Sequence, residues 1–258
     1  MKTINPGPPH FKAVIKQYRN NNYNFCKIIN EFIDNIIKKC KNIKINTIQN
    51  DENNMLYEFK ISDDYEKGFE NILSENSNNP FNMGHMRDGH DNDNETSEFG
   101  VGMKAGAIAL CDNFIVYTKV NKNFYKINFD FVKMQQIKDV NESYNPTFEN
   151  ITKQIFYNEH PFQTGSSLVF KNIRKEIHKT TNEDEITNEI KKNISKTYSE
   201  IIKNNKINIK VNNKEVQLEE SFFEDKNCIS FTKKVNIYYL INDDNNQEKI
   251  IKKDIGEK

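Results

Sequence analysis

Glu31 and Asn35 stand four residues apart, a spacing that puts a carboxylate and an amide on one face of a helix. A carboxylate so placed can act as a general base toward a water. An amide oxygen one turn on is a hard ligand suited to Mg2+. A second pair, Asp63 and Asp64, closes an alternating run and is followed by Gly68. A carboxylate at a strand end can accept a hydrogen bond from an exocyclic amine such as that of adenine. The glycine lets the backbone come close to a ligand. The third set is Phe99-Gly100-Val101-Gly102-Met103-Lys104, two glycines running into a helix with a lysine in its first turn. Backbone N–H groups at a helix start bind phosphate, and an ammonium adds charge there. The fourth set, Thr164-Gly165-Ser166-Ser167, opens an apolar run. There the Ser166 hydroxyl can reach a base edge directly or through water.

Each set alone also has an ordinary structural reading. Glu31 and Asn35 fit the solvated border of a helix, and Asp63, Asp64 and Gly68 fit a surface turn. The Ala-Gly-Ala-Ile-Ala run after Lys104 fits a close contact between helices. The glycine spacing matches neither a P-loop nor a dinucleotide fingerprint.

The elements that must position these residues are legible in the periodicity. Residues 24–40 repeat apolar side chains at threes and fours, from Phe25 through Ile28, Ile29, Phe32, Ile33 and Ile36, which predicts an amphipathic helix. A short helix is expected over 11–19 and a longer one over 183–203. Strands are expected at 55–62, 114–120, 124–132, 134–139, 166–173 and 229–241. Residues 67–75 suit a helix, 141–165 read as irregular, and 207–218 read as a hairpin about Asn212–Asn213. Residues 76–98 form a long polar loop, of a length that is functional or disordered in a compact domain. The tail 242–258 is charged and expected to fray. The predicted class is α+β, a two-layer sandwich of a mixed, mostly antiparallel sheet with helices on one face.

The 258 residues fit one large domain with a modest extension. Apolar residues at 36%, with 18 Phe and 11 Tyr, suffice for a core. The net charge of zero removes the simplest argument for a nucleic-acid surface. Cys26, Cys40, Cys111 and Cys228 lack metal-binding spacing and read as reduced thiols. No secretory leader or 18-residue apolar span is visible, which predicts a soluble chain of the cytoplasm or nucleus with no membrane partner. His85, His90 and Asp91 in the polar loop could bind a metal, although solvated side chains are the plainer reading. Lys191, Lys192, Lys196 and Lys203 read as a solvated helix face.

The order of the four sets resembles the motif order of the gyrase, heat-shock chaperone, histidine-kinase and MutL ATPases. Within that superfamily, the stretches 83–119 and 165–174 resemble the microrchidia branch. The resemblance covers roughly residues 24–218. It implies a Bergerat-type ATP-binding fold at 24–218 with a lid at 76–98, preceded by an arm at 1–23. Residues 219–258 would be an extension, possible start of a truncated second domain. It further implies that Glu31 orients or deprotonates the attacking water and that Asn35 binds Mg2+ bridging the phosphates. Asp63, with Asp64 in reserve, would read the adenine amine beside Gly68. Gly100, Val101, Gly102, Met103 and Lys104 would cradle the phosphates, and Ser166 would stand where the family has Thr. Lys38 and Lys39 depart from the family, as does the missing first glycine of the second box. The implied activity is Mg2+-dependent ATP binding and slow hydrolysis, with lid closure coupled to homodimerisation and DNA as a partner by analogy. The alternative is a degenerate member acting as a binding or scaffold module.

Overall fold

The protein is described from a computed structural model, which covers residues 10–21, 23–50, 55–74, 79–82, 102–178, 182–218 and two strands at 237–242 and 248–253. The chain divides into two compact units, Met1–Glu219 and Glu220–Lys258.

The first unit is built on an eight-stranded sheet in the order β5-β4-β3-β6-β2-β1-β7-β8. Its strands are β1 (Asn42–Gln49), β2 (Leu56–Asp63), β3 (Cys111–Val120), β4 (Asn123–Asp130), β5 (Thr147–Ile151), β6 (Ser166–Ile173), β7 (Asn208–Val211) and β8 (Lys214–Glu215). Every pairing is antiparallel except β1 with β7. The sheet is therefore mixed and mostly antiparallel, as expected.

Register sorts the buried face into rows across the strands. Phe59, Phe170, Phe114 and Phe129 stand opposite one another on β2, β6, β3 and β4. The next row is Ile61, Leu168, Val116 and Ile127. The third row is Asp63, Ser166, Thr118 and Tyr125. Because strand side chains alternate faces, all three rows point to the same side. The apolar rows lie in the core, with Phe114 and Phe170 stacked at 4.9 Å. Each such side chain contributes roughly 1.5–3 kcal/mol by burial. The third row interrupts that core with polar groups, and these carry the site.

On this face lie α1 (Phe11–Asn20), α2 (Phe25–Ile36), α3 (Gly102–Leu110) and α6 (Glu183–Asn205), which bury residues in the same core. Asn24 caps α2 by accepting from the Cys26 N–H, and the predicted apolar stripe is buried along its length. In α3 every residue from Met103 to Leu110 is buried. The close contact predicted for its small residues is with α2, where a Cβ on Gly106 would meet Phe32 and Ile28. Arg19 of α1 donates to Asp112 at 2.6 Å and to the Ile108 and Cys111 carbonyls at the end of α3. That cation complements the negative end of the helix dipole. A shorter helix, α5 (Lys153–Glu159), buries Phe156 in a small cluster with Ile115, Tyr117 and Val169. These residues alternate with the core rows, so they lie on the opposite face.

Several local expectations differ from the structure. Of the helix expected over 67–75, residues 67–74 form turns instead, because Gly68 and Asn71 take positive φ of 59° and 62°, and residue 75 lies outside the described residues. The strand expected at 134–139 is replaced by α4 (Phe131–Met134) and turns, since the Asp130 side chain caps the Lys133 N–H. The stretch 141–165 contains β5 and α5. Edge strand β5 is exposed along nearly all its length, so no burial alternation marked it. Strand β1 went unread, although Ile43 and Ile45 alternate with polar residues there. The hairpin about Asn212–Asn213 is present, both residues having positive φ. In the second unit β9 (Ile237–Asn242) pairs antiparallel with β10 (Glu248–Lys253), so part of the tail expected to fray is a strand. Among the described residues no helix is long and apolar enough to cross a membrane. Cys40 and Cys111 are buried free thiols and Cys26 is partly buried, while Cys228 lies outside the described residues.

Candidate functional site

Asp63 ends β2 with 4% of its surface exposed. Burial pushes its carboxyl up to about 7, against the lowering effect of a bond from the Tyr65 N–H. Two glycines allow close backbone approaches nearby. Gly165 has φ +107°, and a Cβ there would collide with the Asp63 carbonyl. Gly68 has φ +59°, and a Cβ would collide with the Lys119 carbonyl and stand 2.6 Å from the Thr118 hydroxyl. Gly165 thus lets its loop approach the backbone of Asp63, and Gly68 lets its turn approach Thr118 and Lys119 of β3, in conformations that only glycine adopts readily.

Asp64 does different work. It accepts from the Lys41 N–H at 2.8 Å and from the Asn42 backbone and side chain at 3.0 and 2.7 Å. Burial alone would raise its carboxyl, but these bonds outweigh it and hold the group below its usual range. Asp64 therefore ties the start of β1 to the end of β2.

Ser166 opens β6 beside Asp63 and is 2% exposed. Its hydroxyl lies 2.8 Å from that of Thr118, which accepts the Phe69 N–H at 3.0 Å. Behind this row, on the opposite face, Ser62 and Ser167 share a 2.7 Å hydrogen bond. His160 completes that network, with Nδ1 2.9 Å from the Ser167 hydroxyl and Nε2 2.8 Å from the Thr164 carbonyl. A carbonyl only accepts, so Nε2 carries the proton and Nδ1 accepts from Ser167. Burial pulls the His160 imidazole down to about 4, which keeps it neutral. Thr164 in turn donates to the Asp64 carbonyl at 3.2 Å.

The second cluster forms where α2 meets the start of α3. A Cβ on Gly102 would overlap a Glu31 carboxylate oxygen, so that carboxylate sits against the first residue of α3. Partial burial, then the nearby Asp34, raise the Glu31 carboxyl from its usual value. A more basic carboxylate is a better proton acceptor. The Asn35 amide nitrogen donates to the Glu31 carbonyl, and its oxygen accepts no hydrogen bond among the described residues. Asp34 accepts from the Tyr198 hydroxyl at 2.7 Å and so links α2 to α6.

Lys104 occupies the first turn of α3 but is 3% exposed. Its ammonium donates to the Pro80 and Asn82 carbonyls at 2.9 and 2.6 Å. Burial pulls it down to about 8. Those carbonyls belong to the first part of the expected lid, where Phe81 is buried against Phe69 and Phe129. The Tyr144 hydroxyl donates to the Phe81 carbonyl. Lys104 thus holds the root of that loop in this structure. Met103 is buried beside it. Gly100, Val101, His85, His90 and Asp91 lie outside the described residues. Among the described residues no group of three or more His, Cys, Asp or Glu side chains could hold a metal.

Asp63, Gly68 and Ser166 are therefore brought together, and so are Glu31, Asn35 and Gly102. Thr118 and His160 were not singled out in the sequence. For Thr118 a signal existed, a hydroxyl residue in phase with Phe114 and Val116 on the buried face of β3.

The family model for histidine kinase-, DNA gyrase B-, and HSP90-like ATPases matches residues 23–160. Among solved structures, the chain is similar to the ATPase region of Saccharomyces cerevisiae topoisomerase II bound to ICRF-187 (dexrazoxane), at 17% identity and a TM-score of 0.48. That similarity covers 75% of this chain and 49% of the other, so the chain matches about half the length of that solved protein. The search of curated proteins found no match.

Proposed function

The chain belongs to the histidine kinase-, DNA gyrase B-, and HSP90-like ATPases, and from that premise we propose that it binds ATP with Mg2+ and hydrolyses it slowly. The observation that carries this reading is the buried Asp63 carboxylate at the end of β2, in one row with Ser166 and Thr118, with Gly165 against its backbone and Gly68 against Thr118. A buried carboxylate suits recognition of an uncharged amine, because it accepts the amine hydrogen bond with little competition from water. Ser166 lies next to it for the rest of the base edge.

Glu31 is assigned as the general base that orients and deprotonates water. Asn35 is assigned to Mg2+ through its free amide oxygen, and the metal would neutralise phosphate charge. The N–H groups at the start of α3, with Gly100, Val101, Gly102 and Met103, would hold the phosphates. Phosphoryl transfer rests on positioning and charge neutralisation, so this set suffices in kind. Lid closure over 76–98 would favour a homodimer, and the microrchidia-like stretches support an output on DNA by analogy alone.

A second reading, a degenerate binding or scaffold module, is favoured by Lys104. Its ammonium is engaged by the Pro80 and Asn82 carbonyls. The reading is tested by thermal shift with ATP, a non-hydrolysable analogue and ADP, each with and without Mg2+. Nucleotide at about 100 times its Kd should add about 2.7 kcal/mol of stability. A Mg2+-dependent shift supports the ATPase reading, and no shift at millimolar nucleotide sinks it in favour of the scaffold.

A further inference from the structure

Thr118 has two hydrogen-bond contacts, the Phe69 N–H at 3.0 Å and the Ser166 hydroxyl at 2.8 Å. Its surface is 0% exposed. An N–H only donates, so Thr118 accepts from Phe69. The threonine proton then needs an acceptor of its own, and among the described residues Ser166 Oγ is the one within reach. The reverse direction would leave a buried threonine proton unpaired, at the full desolvation penalty of that group. The chain of donors therefore runs from the Phe69 N–H to Thr118, and from Thr118 to Ser166. Ser166 has one lone pair filled by this bond, and its own proton, with no acceptor among the described residues, is left for a ligand.

Asp63 stands next to Ser166 in the same row and meets Ser166 through its backbone N–H. The row thus offers a ligand a carboxylate acceptor followed by a hydroxyl donor. That order complements an exocyclic amine beside an unprotonated ring nitrogen. It mismatches a carbonyl beside a protonated ring nitrogen. Adenine has the first pattern and guanine the second.

We infer that Thr118 is a specificity-determining residue: it fixes Ser166 as a hydrogen-bond donor, and so selects an adenine-type edge at the site. This role rests on the reading of Asp63 and Ser166 as the base subsite. Thr118 does not meet the ligand itself and acts as a positioning residue.

The test is a set of dissociation constants for the full chain with ATP, GTP and 1-deazaadenosine triphosphate, in which the ring nitrogen beside the amine is C–H. The wild-type chain should bind the deaza analogue about fivefold more weakly than ATP, the worth of one neutral hydrogen bond. Thr118→Val should reduce that ratio to near one, and Thr118→Ser should preserve it. Thr118→Cys, a weak donor of similar size, gives the same expected loss should the valine variant not fold. A purely structural role would weaken ATP and its analogue alike and leave the ratio intact, which overturns the inference. Equal binding of both ligands by the wild type overturns it as well. ATP binding that survives unchanged in both Asp63→Asn and Ser166→Ala removes the base subsite itself, a failure of the underlying reading that the ratio in Thr118→Val would not produce.

Discussion

Gly165 and Asp63 touch through their backbones: the α-carbon of one faces the carbonyl of the other with no room for a methyl group. The φ of +107° at Gly165 adds strain for any other residue. Gly165→Ala is therefore expected to lose about 2–4 kcal/mol, from strain plus forced displacement of the β2 end. Urea denaturation of the variant measures this. A loss below about 0.5 kcal/mol, the range of surface substitutions, would refute the close approach.

Asp63 sets function against stability. Its folded carboxyl sits near 7, above the ordinary 3.8. The folded state therefore holds the proton more tightly than the unfolded state. Stability from this group is full below about pH 4 and is lost as pH rises through 7. Asp63→Asn keeps an oxygen for the Tyr65 N–H and removes the buried charge. At pH 8 it should raise the Tm while abolishing nucleotide binding. In the wild type, ATP affinity should rise between pH 6 and 8 as the carboxylate forms. A variant that loses both stability and binding speaks against this account.

On the proposed assignment, Glu31 and Asn35 separate turnover from binding. Glu31→Gln keeps the size and removes the base, so hydrolysis should fall by at least about a hundredfold while ATP binding persists. Asn35→Ala should weaken both. Single-turnover hydrolysis alongside equilibrium binding distinguishes the two, and unchanged turnover in Glu31→Gln removes the assigned role.

Much of this was legible where one physical signal dominated. The stripe of α2 and the alternation of β2 come from burial on one face, and the apolar runs of β3 and β6 from burial on both, so burial writes itself into residue type. The chemistry of Glu31, Asn35 and Asp63 was visible for the opposite reason, as polar groups at the border of apolar periods. Strand β5 was illegible because nearly all its residues face solvent and only pairing to β4 defines it. Residues 67–75 misled because helix-forming side chains surround a backbone that Gly68 and Asn71 turn to positive φ. The division of labour between Asp63 and Asp64 depends on which one faces the core. The family resemblance put Asp63 first and Asp64 in reserve, but only β1 shows what Asp64 is for. The Thr118 and His160 bonds join residues 48 and 7 positions from their partners, and no local pattern encodes such pairings.

Lys104 separates the two functional readings. Its folded ammonium is pulled down to about 8 from 10.5 by burial. A shift of that size corresponds to about 3 kcal/mol against the charged form in the fold. The unfolded state binds more protons between pH 8 and 10.5, so stability from this group rises with pH across that window. Lys104→Met removes the buried charge, and the half-buried Pro80 and Asn82 carbonyls can turn to water. At pH 7 the variant should match or exceed the wild-type Tm, and the wild type should gain on it as pH climbs from 8 to 10. If Lys104 turns to the phosphates when nucleotide binds, the ATP-induced Tm shift falls in the variant at pH 7. If Lys104 serves only the root of the loop, that shift is unchanged and the loop opens, which limited proteolysis near residues 79–82 reads directly.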